Sequence, residues 1–450
     1  MAGNSAAGNR TTVDEPRPIT AANTAAEAEA ETAAPPVPLR RNLRFQALWA
    51  GQAAASLGMR VGDTAFPLLV LALTGSSTAA GAFGAVQMIT TLLLGIHGGA
   101  VADRLDRRRV LITSDAARLL AATSVPVAMA FDRLTLPHLL LVAAAIGATM
   151  AYSGPVRMLA VRSVVAPEQL AQALAQDEAR LNGAALAGPP LAGFLYGLGG
   201  AVPFLGTTFT SLLALVSALV VRFPGRPADA RPNHEPGTAE QQPESGGALA
   251  GFRLLAASPL LRSVLGVLLV VNLAGAALVL PVMVLLREQG TGSGGIGLAL
   301  AGEAVGALAG AVLVSRLHRM AGPGALLLVV AWATVPVPLA PLLPGGAVTV
   351  FAGLFVVGLG LPSLRVMLDL LVFRQVPDEL RGRVIAATMT LLTAGMPAGT
   401  LGSGLLLDHF SPSVALAGIT ALLAVALLPA TASRTLRRAV WPTAPAPSQA

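Results

Sequence analysis

Arg60 and Asp63 stand three residues apart in a stretch, Phe45 to Thr74, that carries no other charge, and Glu303 stands among Gly302, Ala304 and Gly306 in a second apolar stretch. As a helix rising ~1.5 Å per residue, the first stretch puts Arg60 and Asp63 near its middle, and their i, i+3 spacing puts both on one face. A carboxylate held in an apolar layer can take up a proton on one side and release it on the other, while a neighbouring guanidinium competes for its ionised form. Asp63 is therefore the first candidate for a proton-coupling acid, with Arg60 as its partner. The same two residues also suit a permanent ion pair that joins helices. Glu303 has no basic residue within one helical turn. It suits coupling, the binding of a cationic substrate, or inert packing beside its glycines.

The elements that must hold these groups are membrane spans. The 450 residues are 54% hydrophobic and 12% charged, with a mean hydropathy of +0.69, whereas soluble domains carry roughly 25% charged residues. A helix needs ~20 mostly apolar residues to cross a bilayer, and runs of that length recur from Phe45 to Pro429. We read twelve spans: 45–74, 78–101, 110–131, 137–160, 170–197, 201–222, 260–286, 294–314, 324–343, 346–373, 382–407 and 412–430. The expected fold is all-α, a polytopic membrane protein.

The absence of cysteine excludes disulfides, thiol catalysis and cysteine-ligated metals, and no metal cluster, catalytic triad or nucleotide site stands out. All 30 basic residues are arginine, so a phosphate loop with its essential lysine is excluded too. Energy for any active process must come from an ion gradient, with no cofactor, or from a separate ATPase subunit. The net charge of +7 does not point to nucleic acid, because the arginines sort by membrane side. Arg40, Arg41, Arg44, Arg104 to Arg109, Arg162, Arg222 to Arg262, Arg316, Arg319, Arg374 to Arg383 and Arg434 to Arg438 fall on one side, against little beyond Arg133 and Arg287 on the other. The positive-inside rule then puts both termini in the cytoplasm.

Residues 1–39 read as a disordered cytoplasmic tail, 40–222 as an N-terminal six-helix bundle, 223–257 as a cytoplasmic linker, 258–431 as a C-terminal six-helix bundle and 432–450 as a second tail. The halves echo one another. Asp103-Arg104-Leu105-Asp106-Arg107 matches Ser315-Arg316-Leu317-His318-Arg319, and Pro167-Glu168-Gln169-Leu170 matches Pro377-Asp378-Glu379-Leu380, at nearly one separation. This argues for a duplicated six-helix unit.

Between the second and third spans runs Gly99-x-x-x-Asp103-Arg104-x-x-Arg107-Arg108, which resembles the corresponding loop of major facilitator superfamily transporters. The resemblance implies two pseudo-symmetric bundles with a substrate site between them. It also implies a latch on the cytoplasmic face made by Gly99, Asp103, Arg104, Arg107 and Arg108; an alternative is a basic anchor with no moving part. Asp103 ends the second span, where it can meet the positive end of the helix that begins at Pro377-Asp378-Glu379. The fifth span holds Ala184, Gly188, Pro189, Ala192 and Gly193, similar to the glycine-proline motif of proton-driven drug antiporters in that superfamily, although small residues at this pitch also serve ordinary helix packing. RFQALWAGQAAASLG, PLLVLALTGSS and VPDELRGRV resemble the actinobacterial multidrug, macrolide and siderophore exporter group.

Asp115 with Arg118, and Arg365 with Asp369, read as structural pairs. Asp177, Glu178, Arg180 and Asn182 come early in the fifth span, where some can hydrate. Gln87, His97 and Asn272 are candidates to line a cavity, and Trp49 and Trp332 to serve at an interface or in packing. The expectation is a monomeric secondary transporter of the bacterial cytoplasmic membrane, partnered by the lipid bilayer and a small-molecule substrate, exporting a hydrophobic or cationic compound in exchange for protons. A proton symporter or importer of the same fold is the alternative.

Overall fold

The computed structural model describes residues 38–221, 249–376, 378–437 and 439. Among these residues there is no strand, and twelve long helices follow one another: α1 (Leu43–Thr74), α2 (Ser77–Arg104), α3 (Arg107–Ala130), α4 (Leu136–Val164), α5 (Leu170–Leu198), α6 (Val202–Val220), α7 (Pro259–Glu288), α8 (Ser293–Met320), α9 (Pro323–Leu342), α10 (Ala347–Gln375), α11 (Asp378–His409) and α12 (Pro412–Ala432). Each predicted span falls on one of them. Eleven are apolar enough as well as long enough to cross a membrane. The exception, α5, carries Asp177, Glu178 and Arg180 in its first third. A short helix, Leu249–Ala257, precedes α7 and buries Leu255 in the core of the second bundle.

Local chemistry sets the boundaries. Asn42 caps α1, its side chain accepting from the Phe45 amide at 3.1 Å, and Asp106 caps α3 in the same way from Arg109 at 3.1 Å. Gly75, at φ 67°, ends α1 in the left-handed conformation and turns the chain directly into α2.

Both halves use glycine to bring helices together. Gly98 and Gly147 set α2 and α4 backbone against backbone, and Gly302, Gly306 and Gly310 set α8 on Phe351, Phe355 and Leu359 of α10. The second and fourth helices of each half therefore pair alike, as expected for a duplicated unit.

Twelve spans put the start of α1 and the end of α12 on one face, the arginine-rich one. In that half of the molecule the two bundles have separate cores. One joins Phe45, Leu48, Leu111, Val156 and Val161; the other joins Leu261, Leu327, Met367, Leu371 and Leu427. In the opposite half the cores are shared. Leu280 of α7 packs with Phe66, Leu69 and Phe83, and Leu68 of α1 packs with Val282, Leu286 and Ile296. The bundles thus meet at the face away from the arginines and part toward the arginines.

The arginine-rich half of the first bundle is tied by charge. Asp115 on α3, almost fully buried, accepts from Arg118 at 2.5 Å and from Arg157 of α4 at 2.8 Å. Removing the one acid strands the buried Arg118 and the largely buried Arg157, and breaking a buried pair in this way costs about 3–5 kcal/mol. Asp115→Asn should therefore lower the unfolding midpoint in detergent and cut the amount of folded protein recovered. Asp369→Asn, in an exposed pair with Arg365 at 3.9 Å, should change stability by no more than ~1 kcal/mol.

Candidate functional site

Arg60 and Asp63 project from the middle of α1, with Arg60 Nη1 donating to Asp63 Oδ2 at 3.4 Å. Their side chains are 48% and 41% exposed, so they open into the space between the bundles rather than into packed protein. Gln87, from α2, stands near the same carboxylate, and its side-chain amide donates to Met150 Sδ at 3.8 Å. Glu303, from α8 in the other bundle, has Arg60 as its charged neighbour. Counted along their helices, Asp63 and Glu303 lie at nearly one depth, about 15 Å from the ends away from the arginine-rich face. One cation, paired with Asp63 on its own helix, is thus also within electrostatic reach of an acid from the opposite bundle.

On its own helix Glu303 has no basic residue within one turn, and the charge that it feels is that of Arg60 on α1.

The fifth-helix motif touches this group directly. Gly188 lies flush against Arg60: a Cβ added there would overlap the Arg60 Cβ and come within 3.1 Å of its carbonyl carbon and 3.3 Å of its Cα. Ala184, Gly188, Ala192 and Gly193 are all buried. The last of them meets the backbone of Ser293 and Gly294, while Gly297 of α8 meets Pro189 and Pro190. One strip of small residues thus seats α1 on one side and crosses to the second bundle on the other. The helix runs on through both prolines.

The remaining candidates sort by what they touch. Arg180 is not hydrated near an interface. Its side chain is 6% exposed, it pairs with Asp177 at 2.7 Å, and it donates to Ser56 Oγ and to the Gln52 carbonyl at 3.1 Å, pinning α5 to α1. His97 hydrogen-bonds Tyr152 at 2.9 Å, and Asn272 bonds back to Leu268 of its own helix. The Trp49 and Trp332 indoles donate to Gln176 and Thr431. Arg157 was not singled out from the sequence, although a basic residue inside the fourth span was a signal that could have found it.

Of the proposed latch, the side chains of Gly99, Asp103 and Arg104, and of Pro377, Asp378 and Glu379, lie outside the described residues. Arg108 donates to the Leu219 carbonyl at 2.8 Å, meeting the negative end of α6 within its own bundle. Among the described residues no group of three or more His, Asp or Glu could hold a metal ion.

The sequence profile of the Major Facilitator Superfamily matches residues 48–400. The multidrug efflux pump Tap of Mycobacterium tuberculosis (strain ATCC 25618 / H37Rv) is 29% identical over 371 residues, covering 79% of this chain and 84% of the relative. The pump of the same name from Mycolicibacterium fortuitum is 27% identical over 383 residues, covering 81% and 88%. Among solved structures, a bacterial homologue of the human lysosomal transporter Spinster, inward-facing and unoccupied, superposes with a TM-score of 0.68 at 15% identity, covering 90% of this chain and 99% of its own. The nucleoside transporter NupG gives 0.69 at 12%, covering 88% and 99%.

Because a methyl group at 188 has no room beside the Arg60 backbone, Gly188→Ala should separate α1 from α5 and destabilise the protein by about 1–3 kcal/mol. Gly183→Ala, whose Cβ would meet nothing within 4 Å, should stay within about 0.5 kcal/mol of the parent. Thermal unfolding of the two purified variants checks both.

Proposed function

The chain belongs to the Major Facilitator Superfamily, and from that premise we propose that it is a proton-coupled antiporter exporting hydrophobic or cationic small molecules. It is a multi-pass membrane transporter, not an enzyme. In this reading it works as a monomer in the bacterial cytoplasmic membrane, with a proton gradient and no cofactor. The positive-inside rule assigns the arginine-rich face and both termini to the cytoplasm. The described arrangement is then sealed at the outer face and parted at the inner one.

The observation that carries the proposal is the half-exposed Arg60–Asp63 pair on α1, with Glu303 of the other bundle within electrostatic reach of the same guanidinium. With both acids ionised the group holds one negative charge in excess. One proton neutralises it, and so does one cationic substrate. Charge is costly in the apolar layer, so the two ligands exclude each other and exchange becomes favourable. Outside, a proton displaces the substrate; inside, the substrate displaces the proton. The efflux relatives favour export, and the fifth-helix strip ties α1 and Arg60 to α8, so that motion of one bundle is felt at the charged group.

Inverted membrane vesicles given a proton gradient should accumulate a cationic dye of the drug type, and adding the dye should dissipate the gradient. Asp63→Asn and Glu303→Gln keep shape but cannot ionise, so at least one should abolish gradient-driven uptake and spare downhill exchange. Concentrative uptake by both variants would remove these acids from coupling; dye and proton moving in the same direction would assign symport instead.

A further inference from the structure

We infer that Asp408 is a gating residue, a latch from the second bundle that holds the face away from the arginines shut. Asp408 is the penultimate residue of α11, and it lies over the first turn of α2 in the other bundle. Its Oδ1 accepts from the Ser77 amide at 2.8 Å, and its Oδ2 accepts from the Ser76 hydroxyl at 2.9 Å and the Thr78 amide at 3.2 Å. The first amides of a helix have no partner within it. Here two of them are satisfied from the opposite bundle, while Ser76 supplies the local cap by accepting from Ala79 at 3.2 Å.

The arrangement is more than a cap. A carboxylate at this end also meets the positive pole of α2, so the contact adds charge to hydrogen bonding. Directly beneath it the two helices touch through backbone: Gly404 lies against Ser77 and Thr78, and Gly81 against Thr400, Gly404 and Leu401. Deeper still, Thr400 Oγ1 lies 3.8 Å from Met88 Sδ. Opening this face requires that α2 and α11 part, and Asp408 holds the only hydrogen bonds among those described that join their ends. Since Asp408 stands at the rim, water can replace its partners when they leave. The latch is thus strong enough to bias the closed state and weak enough to release in every cycle.

The inference rests on the transport reading but not on proton coupling, because its test needs neither substrate nor gradient. The chain has no native cysteine, so single reporters can be placed cleanly. Met88→Cys sits below the seal, and Thr393→Cys, seven residues from Thr400 on α11, is exposed on the arginine-rich side of it. A membrane-impermeant methanethiosulfonate reagent is applied to right-side-out vesicles for the first reporter and to inverted vesicles for the second. Asp408→Asn and Asp408→Ala should raise labelling of Met88→Cys roughly threefold or more, the population change expected when a carboxylate is lost from a helix terminus. Labelling of Thr393→Cys should fall in step. Asp408→Glu, which keeps the charge, should restore much of the parental pattern. An unchanged rate at Met88→Cys in the folded Asn variant overturns the assignment, and so does a rise at both reporters, which would mean general loosening. Loss of proton-driven uptake with intact reciprocal labelling would instead overturn the coupling scheme and leave the latch standing.

Discussion

Lipid tails are as apolar as leucine, so helices inside a bilayer gain little by hiding apolar side chains from their surroundings, and close backbone approach decides which of them stay together. In this chain that constraint is met by glycine. Gly98 and Gly147 join α2 to α4; Gly302, Gly306 and Gly310 join α8 to α10; Gly81 and Gly404 join α2 to α11; Gly193 and Gly297 join α5 to α8. The first two sets build the bundles. The last two cross between them, and both cross in the half away from the arginines. The same rule that assembles each bundle therefore also determines which face is shut.

Against this apolar frame the charges divide by exposure. Asp115 with Arg118 and Arg157, and Asp177 with Arg180, are short contacts of 2.5–2.8 Å whose arginines are largely buried, and they fix neighbouring helices. Arg60 and Asp63 are half exposed and loosely paired at 3.4 Å, with Glu303 of the other bundle within electrostatic reach of Arg60. The proposed exchange requires a group that can change partners, and a loose pair at mid-helix suits that better than the short, largely buried ones do.

The helices were legible in the sequence because span length and apolar content are local quantities, and the one helix that misses the apolar criterion is the one rich in glycine, proline and early charges. The Arg60–Asp63 pair was legible for the same reason, since i, i+3 spacing is read along a single helix. The nearness of Glu303 to Arg60 was not, because the two lie in different halves of the chain and approach only through tertiary packing. Which of Asp177, Glu178, Arg180 and Asn182 hydrate was not legible either, since the contacts that bury Arg180 come from Ser56 and Gln52 on α1. Asp408 was overlooked because an acid near a helix end reads as a solvated one when the facing helix start, 330 residues earlier, is not in sight.

The unequal distribution of apolar cores has a thermal consequence. Parting the bundles at the face away from the arginines exposes side chains such as Leu68, Val282, Leu280 and Phe66 to a water-filled cleft, whereas the separate cores in the other half lose nothing when their face is open. Hydration of apolar surface carries a large heat capacity, so wetting these side chains adds a heat-capacity term that the open face does not. Apolar closure weakens on cooling. The seal at this face is therefore the contact that cold loosens.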